Sequence, residues 1–149
     1  GQLAWKVSQD PKVTVMDRTN IRYLTPESLG AKVDLIVADL SFISLETVLP
    51  ALVSVLNPAG QVLLMVKPQF EVGKDALGPG GVVQDNAQRI ESVNKIAGKA
   101  FSLGLGTAGV VASPLPGPSG NVEYFLWLKP GSPAPQESDV ERAVQEGPQ

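Results

Sequence analysis

The chain has 149 residues, 43% of them hydrophobic and 18% charged, with a net charge of −3 and a pI near 4.9. That length holds one domain with a real core, and no apolar run is long enough to span a bilayer. With no cysteine and no histidine, disulfides, thiolate metal sites, Ser-His-Asp triads and imidazole bases are excluded.

An acidic domain grips nucleic acid poorly on its own, because phosphate neutralisation supplies most of the affinity. The chain opens Gly1-Gln2-Leu3 without a signal-peptide pattern, as a fragment or trimmed piece would, and a cytoplasmic location is the default expectation.

In chain order, Gln2 to Gln9 reads as a short helix stopped by Asp10-Pro11, and Val13 to Met16 as a short strand. Thr19 to Gly30 is a loop with one helical turn, which Thr25 caps ahead of Pro26. Val33 to Asp39 is a buried strand. Leu45, Val48, Leu49, Leu52, Val53 and Leu56 recur at the spacing of an amphipathic helix, with a kink expected at Pro50. Asn57-Pro58-Ala59-Gly60 is a turn signal. A second buried strand runs from Gln61 to Lys67, followed by a glycine-rich loop, Pro68 to Val83.

Asp85 caps a further helix carrying Ile90, Val93, Ile96, Ala97, Ala100 and Phe101 on one face, with Gly104 as its stop. Thr107 to Ala112 and Val122 to Lys129 are strands that pair as a hairpin across the proline-rich Pro114–Gly120 loop. Residues 131–149, rich in Pro, Gly, Ser and Glu, read as a flexible tail holding at most a marginal helix over Asp139–Gln145. The pattern is α/β with a mostly parallel sheet whose apolar strands are covered by helices on both faces.

In such sheets chemistry sits just past the carboxyl ends of strands, which singles out Asp39 and Lys67. Asp39 either caps the following helix or lines a crevice with Leu40, Ser41 and Phe42. Lys67, after five apolar residues, either snorkels to water or stands as a tuned ammonium beside an acid. Glu123, at the start of the last strand, either guards a sheet edge or joins them. Glu71 and Lys74 lie in the long loop near the same crevice and either gate a substrate or are simply solvated.

Arg18-Thr19-Asn20, Val37-Ala38-Asp39-Leu40-Ser41-Phe42-Ile43-Ser44, Val66-Lys67-Pro68-Gln69-Phe70-Glu71-Val72-Gly73-Lys74, Gly80-Gly81-Val82-Val83 and Ser113-Pro114-Leu115-Pro116-Gly117-Pro118-Ser119-Gly120-Asn121-Val122-Glu123-Tyr124-Phe125-Leu126-Trp127-Leu128 together resemble the TlyA family. These are FtsJ-like ribose methyltransferases of ribosomal RNA, often labelled hemolysins. The tail resembles the actinobacterial branch.

The resemblance implies a Rossmann-like fold, with residues 1–130 as the C-terminal part of a methyltransferase domain, and S-adenosylmethionine as cofactor. It implies 2′-O-methylation of cytidine ribose in small- and large-subunit rRNA through a Lys-Asp-Lys-Glu tetrad. Asp39, Lys67 and Glu123 match three of its members. Lys67 would take or orient the hydroxyl proton, with Asp39 and Glu123 holding its ammonium. Asn20, Asp39 and Leu40 fall where the family contacts the cofactor.

The family's N-terminal RNA-binding domain, first tetrad lysine and glycine-rich cofactor turn have no counterpart in this chain. Ribosomal RNA would therefore be held through that other module, and the chain alone should bind cofactor weakly. The strand Val33–Asp39 should be left as an exposed edge, unless Val13–Met16 re-pairs with it. Two rival readings are an inactive remnant or RNA-binding fragment, and a membrane-lytic protein. The second has no spanning run and no basic amphipathic helix in its favour.

Overall fold

The computed structural model describes residues 2–149. Helix α1 (Trp5–Ser8) and α2 (Pro26–Leu29) precede β1 (Val33–Ala38), α3 (Leu45–Ser54) and β2 (Leu56–Val66). They are followed by α4 (Asn86–Ser102), β3 (Gly106–Ala112), β4 (Tyr124–Lys129) and α5 (Glu137–Glu146). The helix boundaries follow local chemistry. Thr25 and Ser28 form a reciprocal capping box on α2, Ser44 caps α3, and Asp85 caps α4 by accepting from the Ala87 N–H at 2.9 Å. Gly104, at φ +95°, provides the left-handed residue just beyond α4. Pro50 lies on the exposed side of α3, which continues through it.

The four strands stand in the order β1-β2-β4-β3. Only β1 and β2 are parallel, with Ala38 beside Leu64; β4 runs antiparallel to both neighbours, Tyr124 lying opposite Val66 on one side and Ala112 on the other. The expectation of a mostly parallel sheet is thus corrected to a mixed one. Because β4 returns from β3 and slots between β3 and β2, it must oppose both. The expected terminal hairpin is present as the β3–β4 pair.

Four other expectations change. Val13–Met16 forms no strand and its apolar side chains are exposed; it has no ladder partner, and it does not re-pair with β1, whose outer edge stays open. Asn57–Gly60 is not a turn between elements but a bulge inside β2: Val33 pairs with Leu56, and Leu35 already with Gln61. A Cβ at Gly60 would collide with the Leu56 side chain, so a larger residue in the bulge would force that side chain to move.

Residues 137–146, expected to be a flexible tail with at most a marginal helix over Asp139–Gln145, form the full helix α5, with Val140 and Val144 seated in the core against β3 and α4. The i, i+3, i+4 set Val140, Ala143 and Val144 gives the segment one apolar stripe, enough once a sheet edge is there to receive it. Finally, helices cover one face of the sheet only. Val62, Leu64, Val66, Tyr124, Leu126 and Leu128 pack under α3, α4 and α5 in one buried cluster. Leu35, Val37, Leu63, Val111, Phe125 and Trp127 point to the opposite face, where they line a shallow apolar groove with no helix over it among the described residues.

Candidate active site

The sheet order decides which side chains can meet. With β1, β2 and β3 running one way and β4 the other, the carboxyl ends of three strands share one end of the sheet with the amino end of β4. Asp39 follows β1, Lys67 follows β2 and Glu123 precedes β4. Continuing the ladder from Val66 opposite Tyr124 puts Lys67 opposite Glu123. The three residues singled out in the sequence are therefore gathered at one end of the molecule.

Their side chains are not all in contact. Lys67 Nζ lies 2.5 Å from Asp39 Oδ1 and donates to Ser41 Oγ at 3.1 Å. The lysine side chain is 9% exposed while the Asp39 side chain is 68% exposed, so the pair straddles the boundary between core and solvent. Pro68 opens a 3-10 turn, Pro68–Phe70, that carries the chain off the strand just past Lys67. The expectation that Glu123 also holds this ammonium is corrected. Glu123 has no cationic nitrogen within 4.0 Å among the described residues. It is buried, and Gln69 Nε2 donates to its Oε2 at 2.9 Å. The ladder fixes backbone neighbours, but each side chain's direction is set by its packing.

Around this end the loops are fastened to one another. Glu71, read as a solvated loop residue, is a buried staple. Its carboxylate accepts from Ser44 Oγ (2.6 Å) and from the Leu45 N–H (2.8 Å) at the start of α3, and pairs with Lys95 of α4 at 3.2 Å. Lys74 is exposed, as expected. Asn121 ties the glycine-rich loop to the proline loop: its Oδ1 accepts from the Val83 N–H (2.9 Å) and its Nδ2 donates to the Gly81 carbonyl (3.1 Å). Arg89 is buried with its guanidinium donating to the Val83 carbonyl and Asn86 Oδ1. Next to Glu123, burial holds the Tyr124 hydroxyl above its ordinary pKa of 10.0, with the Arg89 charge pulling the other way.

Two features were not anticipated. Phe42 has φ +64°, an uncommon and strained backbone for a bulky residue, and is 89% exposed, its ring 4.9 Å from that of Phe70. Gln69, buried two residues beyond Lys67, is the direct partner of Glu123. Pro68 between them, and the even spacing from Lys67, were the only sequence signals for it.

The residues expected to meet a cofactor are placed as follows. Leu40 is half-buried against the core, Asp39 offers an open carboxylate, and exposed Asn20 uses its Oδ1 on the Arg22 N–H to cap a 3-10 turn (Ile21–Tyr23) that packs on α3. The link from β1 to α3 contains no glycine, so it lacks the close backbone approach of a nucleotide cradle. No cluster of His, Cys, Asp or Glu among the described residues is arranged to hold a metal.

Comparison with known proteins follows the same lines. The family of FtsJ-like methyltransferases matches residues 1–130. The 16S/23S rRNA (cytidine-2′-O)-methyltransferase TlyA of Mycobacterium tuberculosis is 57% identical over 153 aligned residues, covering 99% of this chain and 57% of that protein. Solved structures of candidate hemolysins from Streptococcus thermophilus and Lactococcus lactis superpose with TM-scores of 0.91 and 0.90 at 34% and 33% identity. Each covers 97% of this chain, and 54% and 71% of the respective solved chain. The chain thus spans little more than half the length of the curated relatives it matches. Its sheet-end charges sit on a backbone shared with these proteins, and the chain belongs to the FtsJ-like methyltransferase family, among its TlyA-type members.

Proposed function

We propose that this chain provides the acceptor side of an S-adenosylmethionine-dependent 2′-O-methyltransferase acting on cytidine ribose in ribosomal RNA. The observation that carries the reading is the Lys67 ammonium, buried at a strand end yet bridged to an open Asp39 carboxylate and to Ser41. A ribose hydroxyl is a weak nucleophile, and a fixed donor and acceptor at one point orient its lone pair and receive its proton.

S-adenosylmethionine, when bound, supplies a methyl group on a sulfonium sulfur. The chain's own part is positional. Lys67 hydrogen-bonds the 2′-oxygen, and Asp39, open to solvent, takes the proton released as the oxygen–carbon bond forms. Phe42, an exposed ring three residues after Asp39 that leans on Phe70, suits stacking on an unpaired base, the usual mode by which single-stranded RNA is held. With a net charge of −3, the chain leaves most of the phosphate grip to another module.

The test is transfer of labelled methyl groups to ribosomal subunits. The chain is assayed alone, and joined to the remaining part of the Mycobacterium tuberculosis relative. The joined protein should label rRNA while the chain alone does not, and Lys67→Ala in the joined protein should lose at least about a hundredfold in rate. Full activity in Lys67→Ala would overturn the proposed role. No labelling by the joined protein would favour an inactive remnant.

A further inference from the structure

Glu123 poses a problem that its neighbours only half solve. It is a carboxylate at 5% exposure without a cation in reach among the described residues, a placement that costs heavily unless hydrogen bonds replace the lost water. One wall of its pocket is backbone: a Cβ at Gly117 would stand 2.6 Å from the carboxyl carbon and from Oε2. Its hydrogen-bond partner is Gln69, whose Nε2 donates to Oε2 at 2.9 Å.

Gln69 is itself at 8% exposure, and its Oε1 is enclosed without any hydrogen-bond partner. Flipping the amide would not help, since it would aim that oxygen at the carboxylate. Two residues earlier, the Lys67 ammonium has three N–H groups and reaches two acceptors, Asp39 and Ser41. A buried acceptor without a donor and a buried ammonium with a donor to spare thus stand at one strand end, separated by Pro68. Buried orphan acceptors are rare in native proteins, and each calls for a physical explanation.

We infer that Gln69 is a positioning residue linking Glu123 to Lys67: its N–H aims the Glu123 carboxylate, and its carbonyl takes over the Lys67 N–H now given to Ser41, as the ammonium turns its third N–H to a bound ribose hydroxyl. The inference rests on the reading that Lys67 and Glu123 serve one reaction. It explains how two residues opposite each other in the ladder act together without an ion pair between them.

The decisive variants are Gln69→Met, which keeps the volume and removes both hydrogen bonds, and Gln69→Glu, alone and combined with Glu123→Gln. In the combined variant the amide and carboxylate exchange places, so a donor faces an acceptor again. Urea midpoints of this chain should fall in Gln69→Glu and recover in the exchanged pair. In the joined methyltransferase, Gln69→Met should lower kcat by about tenfold or more and leave KM for ribosomal subunits within about twofold, as loss of a bond to a charged group predicts.

A kcat that stays at the wild-type value, or an exchanged pair no better than Gln69→Glu, would overturn the inference. If Gln69→Met fails to fold, the exchanged pair still decides the Gln69–Glu123 contact. If the unsubstituted joined protein transfers no methyl group, the proposed function falls while the urea series is read independently of it.

Discussion

Lys67 shows how far a single residue can be read before its surroundings are known. A lysine after an unbroken apolar run must sit where the strand leaves the core, and the structure places it there with an acid against it. Glu71 shows the limit. In sequence it is one charge in a polar loop; in the fold it holds Ser44 and Leu45 on one helix and Lys95 on another, partners that no local spacing connects. Glu71→Ala should therefore destabilise by roughly 2–4 kcal/mol, as removal of one member of a buried charged network does, with the loss read from urea melts. Tyr124 offers a pH-dependent counterpart. Burial raises its folded pKa above 10.0 and its hydroxyl has no partner. The unfolded chain then ionises first, so stability from this group is complete below pH 10 and is lost as pH rises through the folded value. Urea midpoints should fall between pH 9 and pH 11 in the wild type. Tyr124→Phe should abolish this group's share of that fall and be neutral or stabilising at pH 7, since it removes an unsatisfied hydroxyl.

Elements were legible where their signals were local. The caps at Thr25 and Asp85, the stripe of α4 from Ile90 to Ala100 and the stop at Gly104 are written in neighbouring residues, and each appears in the fold, although Phe101 at the end of that stripe is exposed. Strands depend on partners, and there the reading broke down. Val13–Met16 has the composition of a strand but pairs with none, leaving the outer edge of β1 open, whereas the turn-like Asn57–Gly60 is absorbed into β2 because β1 runs alongside it. Helix α5 reads as no more than marginal in the sequence for a related reason: its mean polarity is high and its apolar stripe is three residues wide, so only the receiving surface of β3 and α4 makes it fold. If α5 belongs to the core, Val144→Ala should cost roughly 1–3 kcal/mol. Deleting residues 131–149 should broaden the urea transition, since Gly106 also packs directly against the Ser132 and Pro133 backbone. A flexible tail would leave the melt unchanged by either alteration.

At the scale of the whole molecule, the distribution of helices is lopsided, and that has a physical consequence. Strands apolar on both faces implied covering layers on both sides, but all three long helices lie on one. The other face presents Leu35, Val37, Leu63, Val111, Phe125 and Trp127 as one apolar groove, bordered by the unpaired edge of β1. Contiguous apolar surface beside an open strand edge drives association, because covering it removes carbon from water while the edge supplies unpaired N–H and C=O groups. The isolated chain should therefore bind an environment-sensitive hydrophobic dye in native buffer. Its apparent mass by light scattering should rise with concentration. Val37→Lys puts a charge on both the groove and the edge strand at an exposed position, so it should suppress dye binding and association while shifting stability by no more than about 0.5 kcal/mol. A wild-type chain that stays monomeric at high concentration and ignores the dye would mean that this face is not open in solution.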